Sequence, residues 1–357
     1  MGVFVFLPLV LPLTAWPVAR LAEHHLHPRM ATWLLTGASA VLAVCSTLSL
    51  ALLMVVGTAQ LPGNPLPDGW SDPEVREAVP YDEVAGRIAI PALILVVASC
   101  ARAAWRHRRV RRRAGRALEG LPATSVVVLP DASPYAYALP GRKSRARVLA
   151  KSRARVLTKA RGRVRGNVRA RVRGKVRATG RATGGATGGA RDRVVVTTAM
   201  LATLTGPERR ALFAHERAHL TARHHRFLLA VQLAARSNPF LRPLRTAVTY
   251  TTERWADEEA ATSVGSRRIV ARAVGKAALI SRGAPSVTLA GFAVAGPVPR
   301  RVAALLGPAP AARSWPSLFT GAGLAAWGAA AGAAASALSS ANSAVTLFVI
   351  LKAATPL

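Results

Sequence analysis

Uncharged apolar stretches alternate with strongly basic ones along this chain of 357 residues. The apolar runs that are candidates for membrane spans cover residues 3–18, 30–61, 88–101 with an extension toward Trp105, and 315–351. About 20 helical residues cross the roughly 30 Å of bilayer hydrocarbon, so the first and third runs need flanking residues to span it. The pattern predicts about four transmembrane helices. Ser339, Ser340 and Asn342 leave open whether the last run crosses once or twice.

The distribution of positive charge predicts how these helices are oriented. Arg20 and Arg29 bracket the first loop, a dense arginine cluster follows the third run at residues 102–116, and the loop between the second and third runs is acidic. Lys and Arg concentrate on the cytoplasmic side of membrane proteins. We therefore expect a multi-pass protein of the cell membrane whose residues 106–313 face the cytoplasm. The first run lacks the basic start and the cleavage site of a signal peptide, which predicts a retained span.

Composition supports a membrane protein with a cationic face. Hydrophobic residues make up 51% of the chain and the mean hydropathy is +0.26, more than an ordinary soluble domain needs. The formal net charge is +33 although only 18% of the residues are charged, so the basic residues are concentrated in a few stretches. Cys45 and Cys100 fall in apolar runs, where cysteine acts as a small hydrophobic residue.

Short β-branched or alternating stretches at residues 125–130, 135–139 and 193–198 predict a small sheet in the cytoplasmic region. An insertion at residues 143–190 interrupts this sheet, with sixteen Lys or Arg, no acidic residue and short internal repeats. It lacks the apolar area that offsets the entropy of ordering, which predicts disorder. Either it is an expansion without a role, or its charge binds anionic lipid. Nucleic acid is the less favoured ligand, because no aromatic residues are interleaved.

A capped helix carries the residues with the clearest chemistry. Thr205 and Glu208 form a capping box at its start. His215 and His219 follow one turn apart, so both imidazoles project from one face and can bind a single zinc ion. Glu216 lies beside them and can activate a water molecule. The sequence therefore predicts a metal-dependent catalytic centre on this helix.

A later acidic helix is expected to supply the third metal ligand. The helical stretch from about Leu244 to Ser263 carries Glu253 and Asp257 one turn apart on one face, whereas its other two acidic residues point elsewhere. We predict Glu253 as the third ligand and Asp257 as the residue that fixes the orientation of a ligating histidine.

The remaining histidines are not expected to bind this metal. His224 and His225 form a pair typical of a helix end or a surface, and the cluster at residues 24–27 is typical of a membrane interface. The group that stabilises the oxyanion is not assigned, and Arg267 and Arg268 are only candidates for that role.

Together these elements predict an α+β membrane protein with a mainly helical, zincin-type peptidase domain that contains a small β-sheet. We expect three spans in residues 1–105, a cytoplasmic metallopeptidase domain in residues 106–313 around the 143–190 insertion, and one further span in residues 314–357.

The motif residues resemble those of the BlaR/MecR-type membrane zinc metallopeptidases and, more distantly, of the HtpX-like membrane proteases. The pattern of that family is HExxH followed by a helix with Glu-x-x-x-Asp, which His215, Glu216, His219, Glu253 and Asp257 match. The stretches 130–141 and 194–200 are similar to the family's edge-strand approach to the active site. Few residues follow the last apolar run, so a sensor domain of the BlaR kind is not expected.

The resemblance, which covers residues 100–310, implies a zinc-dependent endopeptidase that faces the cytoplasm and cleaves a transcriptional repressor or itself. The predicted reaction is hydrolysis of peptide bonds in a cytoplasmic or membrane-associated protein, with Glu216 as the general base. Its partners would be a protein or peptide substrate and membrane lipid. The alternative is a catalytically silent membrane scaffold whose basic insertion binds anionic lipid or nucleic acid.

Overall fold

A computed structural model describes residues 5–59, 66–71, 82–122, 124–141, 192–281, 297–310 and 316–355. This part of the chain is mainly helical and contains one three-stranded sheet, as predicted. The basic insertion at 143–190 lies outside the described residues, so its predicted disorder stays a prediction.

The first apolar run does not form one long helix. It folds into α1 (Leu7–Val10), a 3₁₀ turn (Leu11–Thr14) and α2 (Ala15–His25). Pro8 and Pro12 each stand in the first turn of a new segment, because proline has no N–H to donate to the preceding turn. The span predicted at residues 3–18, and with it the total of four spans, is therefore not confirmed.

Two long helices follow, α3 (Pro28–Ala59) and α4 (Asp82–Arg116). Gly57 of α3 and Gly86 of α4 approach so closely that a Cβ atom added to either would collide with the backbone of the other. The arginine cluster at residues 102–116 continues α4 without a break beyond its apolar part. Trp105 lies at that boundary, 56% exposed, with the Arg109 guanidinium 5.0 Å from the centre of its ring.

The predicted sheet consists of β1 (Val126–Leu129), β2 (Ala136–Leu139) and β3 (Arg193–Thr197) in the order β1-β3-β2. β1 pairs with β3 in parallel and β2 pairs with it antiparallel, with Leu139 opposite Arg193. β2 is thus an edge strand in the described part of the sheet.

Six helices surround the sheet and join it to the long helices. They are α5 (Thr198–Thr203), α6 (Gly206–Thr221), α7 (His224–Ser237), α8 (Arg242–Val264), α9 (Arg267–Ile280) and α10 (Val298–Leu306). The predicted capping box starts α6, where the Glu208 carboxylate accepts the Thr205 N–H at 2.9 Å and also the Lys276 ammonium at 2.8 Å.

Helix α8 belongs to two apolar cores. Leu244 and Val248 pack with residues of α2, α3 and α7, whereas Ala260 and Ala261 pack with residues of α6, α9 and the sheet. Buried contacts at both ends hold α8 beside α6, which fixes how the acidic face of α8 meets the histidines of α6.

The last apolar run forms a single helix, α11 (Gly321–Ala353), which continues through the serine pair at 339–340. With α3 and α4 it is one of three described helices that are long and apolar enough to cross a membrane. These three helices indicate a membrane protein.

Candidate active site

The Nε2 atoms of the two histidines of α6 converge on a common point. The Nε2 atoms of His215 and His219 lie 3.0 Å apart, and the exposed fraction of the two side chains is 0% and 10%. The one-turn spacing brings them together as predicted, because residues four positions apart share a helix face.

Helix α8 presents its acidic face to these histidines. The Glu253 carboxylate lies 3.4 Å from His215 Nε2 and 3.5 Å from His219 Nε2. Asp257, one turn later, places Oδ1 3.1 Å from His215 Nδ1, the ring nitrogen on the far side. Both carboxylates are buried, so the structure brings together the four residues that the sequence indicated.

Glu216 lies on the same helix, between the two histidines in sequence, and is also fully buried. The Ala138 N–H of strand β2 donates to its carboxylate. Within the part of the chain that the structure describes, its Oε1 has no hydrogen-bond partner. A buried acceptor without a partner is costly, which is typical of a group that serves a ligand or a water molecule.

Arg301 of α10 completes the buried charge network, and sequence reasoning missed it. Its Nε and Nη2 atoms donate to the two Asp257 oxygens at 2.8 and 2.6 Å, and Nη1 lies 3.1 Å from Glu253 Oε2. The side chain is 0% exposed. The guanidinium thus forms a bidentate ion pair with Asp257 and a further contact with Glu253, which holds both carboxylates in place behind the histidines.

His224, expected at a surface, is instead buried beside the site. Its Nδ1 lies 2.9 Å from Nδ1 of His219, and its ring packs 4.6 Å from the Trp255 ring, centre to centre. Arg223 has φ 57°, in the left-handed region, and this residue turns the chain so that α7 begins with His224 facing back to α6. Each candidate metal-binding histidine thus has a second residue at its other ring nitrogen: Asp257 for His215 and His224 for His219.

Residues 181–241 match the model of peptidase family M48. The matched segment contains α6 and α7 and therefore all three HExxH residues, and it ends just before α8. The match supports a metallopeptidase of that family. No curated protein and no solved structure matches the chain.

The donor set of this site fits a divalent metal ion. Ligand atoms of His215, His219 and Glu253 all lie within 4.8 Å of one another and come from buried side chains. Two imidazole nitrogens and one carboxylate oxygen are a common catalytic set that leaves one position open. The Asp257 contact to the first histidine is the arrangement that fixes ring orientation in such sites.

Burial and neighbouring charges set the ionisation of the site. Burial raises the pKa of Glu216 to about 7. Burial also lowers the pKa of His219 well below its usual value, and Glu253 opposes that shift only in part. For Asp257, burial alone would raise the pKa, but the Arg301 guanidinium outweighs it and holds the pKa below its usual range. The network therefore keeps Asp257 ionised while Glu216 can exchange a proton near neutral pH.

The other two acidic residues of α8, Glu258 and Glu259, and the oxyanion candidate Arg267 lie outside the site. Glu258 pairs with Arg254 and Arg267, and Glu259 accepts the Trp255 ring N–H at 3.2 Å. Arg267 also donates to the Ala304 and Gly307 carbonyls, so it anchors α10 and does not face the histidines.

A signal for Arg301 does exist in the sequence. Leu305 follows one turn later and is buried, so Arg301 stands on the apolar face of a short amphipathic helix. A charged residue in that position must have a buried partner. For His224 we find no comparable signal, since its burial depends on the backbone of Arg223.

Proposed function

We propose that this protein is a membrane-embedded zinc endopeptidase. The observation that carries the proposal is the buried convergence of His215 Nε2, His219 Nε2 and the Glu253 carboxylate beside Glu216. Three N and O donors with one open position suit zinc. The bound ion would supply Lewis acidity to a water molecule and to the scissile carbonyl.

Glu216 is the proposed general base and acid. Its partnerless carboxylate oxygen can accept a proton from an attacking water molecule. It can then return that proton to the leaving amine. A pKa of about 7 suits both steps near neutral pH, because neither protonation state is then strongly disfavoured.

Strand β2 is the proposed binding edge for the substrate chain. The Thr197 N–H donates to the carbonyl of Tyr135, the residue before β2, at 3.1 Å. The alternation of an antiparallel pair then turns the N–H and C=O groups of Ala136 and Ala138 away from β3. An extended peptide can pair with that edge as an added strand. The Ala138 N–H itself donates to Glu216, so a peptide held by the remaining polar groups of this edge would lie next to the catalytic residues.

We place the catalytic region on the cytoplasmic side. The support is the arginine cluster at residues 102–116, which continues one candidate span into the catalytic region. The resemblance to BlaR/MecR-type proteins adds a transcriptional repressor as one candidate substrate, alongside other cytoplasmic or membrane-associated proteins.

Glu216→Gln tests the proposal in the purified full-length protein. We expect hydrolysis of an unfolded protein substrate to fall by about 10²–10⁴-fold, because the proton-transfer group is lost, while the zinc content stays near that of wild type. Zinc is measured by mass spectrometry of the metal, and hydrolysis by peptide release. Glu253→Gln should lower both readings.

Glu119→Gln is the matched control, since that acidic residue is exposed and lies outside the site. Undiminished hydrolysis by Glu216→Gln with zinc bound would refute the proposed mechanism. If hydrolysis does fall, comparing the proteomes of cells with wild type and with Glu216→Gln identifies the substrate. It also tests whether a transcriptional repressor is cleaved.

A further inference from the structure

Helix α7 runs alongside both α3 and α4, and contacts at each end fix its level. Near its start, the Phe227 ring packs 4.7 Å from the Trp33 ring of α3. Near its end, the Asn238 side chain donates to Ser46 Oγ at 3.1 Å, and the Ser99 hydroxyl of α4 donates to the Arg236 carbonyl at 3.3 Å. The turn that joins α7 to α8 therefore lies level with Ser46 and Ser99.

If α3 and α4 cross the membrane, a turn at the height of Ser46 and Ser99 lies within the hydrocarbon and not outside the bilayer. From Ser46 to Ala59, the end of α3, the helix rises only about 20 Å at 1.5 Å per residue, whereas the hydrocarbon is roughly 30 Å thick. From Val84 to Ser99 on α4 the rise is about 22 Å. If these helices cross the membrane, both place the turn about 8–10 Å inside the hydrocarbon.

The position of Trp105 supports this boundary. Twenty residues counted along α4 from Val84 end just before Trp105, an exposed aromatic residue followed by arginines. Tryptophan in such a place is typical of the interface between lipid and water.

The residues of the turn fit a lipid environment. Pro239 and Phe240 are exposed, the latter by 54%, and the exposed Arg236 and Arg242 flank them. An apolar tip between two long cationic side chains is typical of a segment that dips into the bilayer, because arginine can extend its charged end to the headgroups.

The polar backbone groups of the turn also have partners within the protein. Asn238 Oδ1 accepts the Phe240 N–H at 3.0 Å, and the Asn238 carbonyl accepts the Leu241 N–H at 3.1 Å. The Asn238 N–H itself donates to the Ala234 carbonyl at 3.0 Å. A backbone group without a partner costs several kcal/mol in hydrocarbon, so these three internal hydrogen bonds favour insertion of the turn.

We propose that residues 236–242, the tip of the α7–α8 hairpin, insert into one leaflet of the membrane, with Phe240 among the acyl chains and Arg236 and Arg242 at the lipid phosphates. The hairpin thus anchors the catalytic region to the bilayer independently of the spans. This inference concerns the lipid contact of the hairpin and does not depend on peptidase activity.

Site-directed labelling tests the insertion in the full-length protein reconstituted into phosphatidylcholine and phosphatidylglycerol vesicles. Cys45 and Cys100 are first replaced by alanine, and a polarity-sensitive fluorophore is attached to Phe240→Cys. The matched control is Leu279→Cys on α9, which is 61% exposed on a helix whose buried face packs with α6 and the sheet. Pro239→Cys is a second tip variant, for use if Phe240→Cys does not fold.

We expect nitroxide-labelled acyl chains to quench the label at the tip several-fold more than the label at residue 279. Aqueous iodide should show the opposite preference. Equal quenching at both positions, or a tip label that iodide reaches as readily as it reaches residue 279, would overturn the proposal.

Discussion

Arg301 contacts both buried carboxylates of the site, Glu253 and Asp257, with its guanidinium. Glu253 and Asp257 stand one turn apart on α8 and would repel each other if they were unpaired. With Arg301 between them both can stay ionised, and Glu253 is then ready to bind a cation. At the scale of the residue, the proposed metal site therefore depends on a side chain that acts through the carboxylates and not through the imidazoles.

Arg301→Met should destabilise the metal-free protein by about 3–5 kcal/mol, because it leaves two carboxylates buried without their cation. Thermal unfolding in detergent with a chelator present measures the change. Arg300→Met is the matched control one position earlier. Arg300 pairs with Glu23 at a partly exposed site, so its loss should cost only about 1 kcal/mol. Equal shifts for the two variants would contradict the role given to Arg301.

Helix α3 packs against α4 through a close contact between two glycines. Its Gly57 faces Gly86 of α4 at backbone distance, whereas a Cβ atom placed on Gly37 of the same helix would have nothing within 4 Å. Small residues let two membrane helices approach closely and gain dispersion contacts along their length. The glycine pair therefore permits the close approach of α3 and α4 at this point.

Gly57→Ala should lower the stability of the helix pair by about 1–3 kcal/mol, because the added methyl group forces the backbones apart. Gly37→Ala should leave stability unchanged or raise it by up to about 1 kcal/mol through helix propensity. Differential scanning fluorimetry of the two variants in the same detergent compares them. A destabilised Gly37→Ala, or an unaffected Gly57→Ala, would count against the close contact.

At the scale of the whole molecule, the 143–190 insertion joins two strands that are already paired. Leu139 lies opposite Arg193, and the Gly141 N–H donates to the Asp192 carboxylate at 2.7 Å. Residues 141 and 192, the described residues on either side of the insertion, therefore lie next to each other. A turn of a few residues can close the same gap.

Replacing residues 143–190 with a four-residue Gly-Ser turn should preserve zinc content and peptide hydrolysis. Stability should rise by about 2 kcal/mol, since a much shorter loop has less entropy to lose on closure. Unfolding, metal analysis and binding to anionic vesicles at two salt concentrations are measured together. If zinc and hydrolysis are lost, the insertion is part of the catalytic unit.

A variant that keeps the length of the insertion but replaces its Lys and Arg with Gln separates charge from length. The scaffold hypothesis expects salt-sensitive vesicle binding to disappear in both variants with no dependence on zinc. Retained binding in both would remove that hypothesis.

The sequence determined what depends on neighbouring residues. One-turn spacing placed the histidines on one face, the capping box started their helix, and short β-branched or alternating stretches predicted the small sheet, because these features arise within a few residues. The match of Glu253 and Asp257 to the site was also predictable, since two acidic residues one turn apart complement two histidines one turn apart.

Only the tertiary structure decided what depends on distant contacts. Asp257 and Arg301 are separated by 44 positions, and Thr32 and Thr251, which hydrogen-bond at 3.0 Å, by 219. Local patterns do not identify such pairs. The helix pattern indicates that Arg301 needs a buried partner, but that this partner is Asp257, that His224 is buried, and how deep the α7–α8 tip lies appear only when the helices are packed. The span predicted in the first apolar run is not confirmed, for one local and one tertiary reason. Its composition suits lipid, but its prolines divide it, and α2 is buried against α3 and α8.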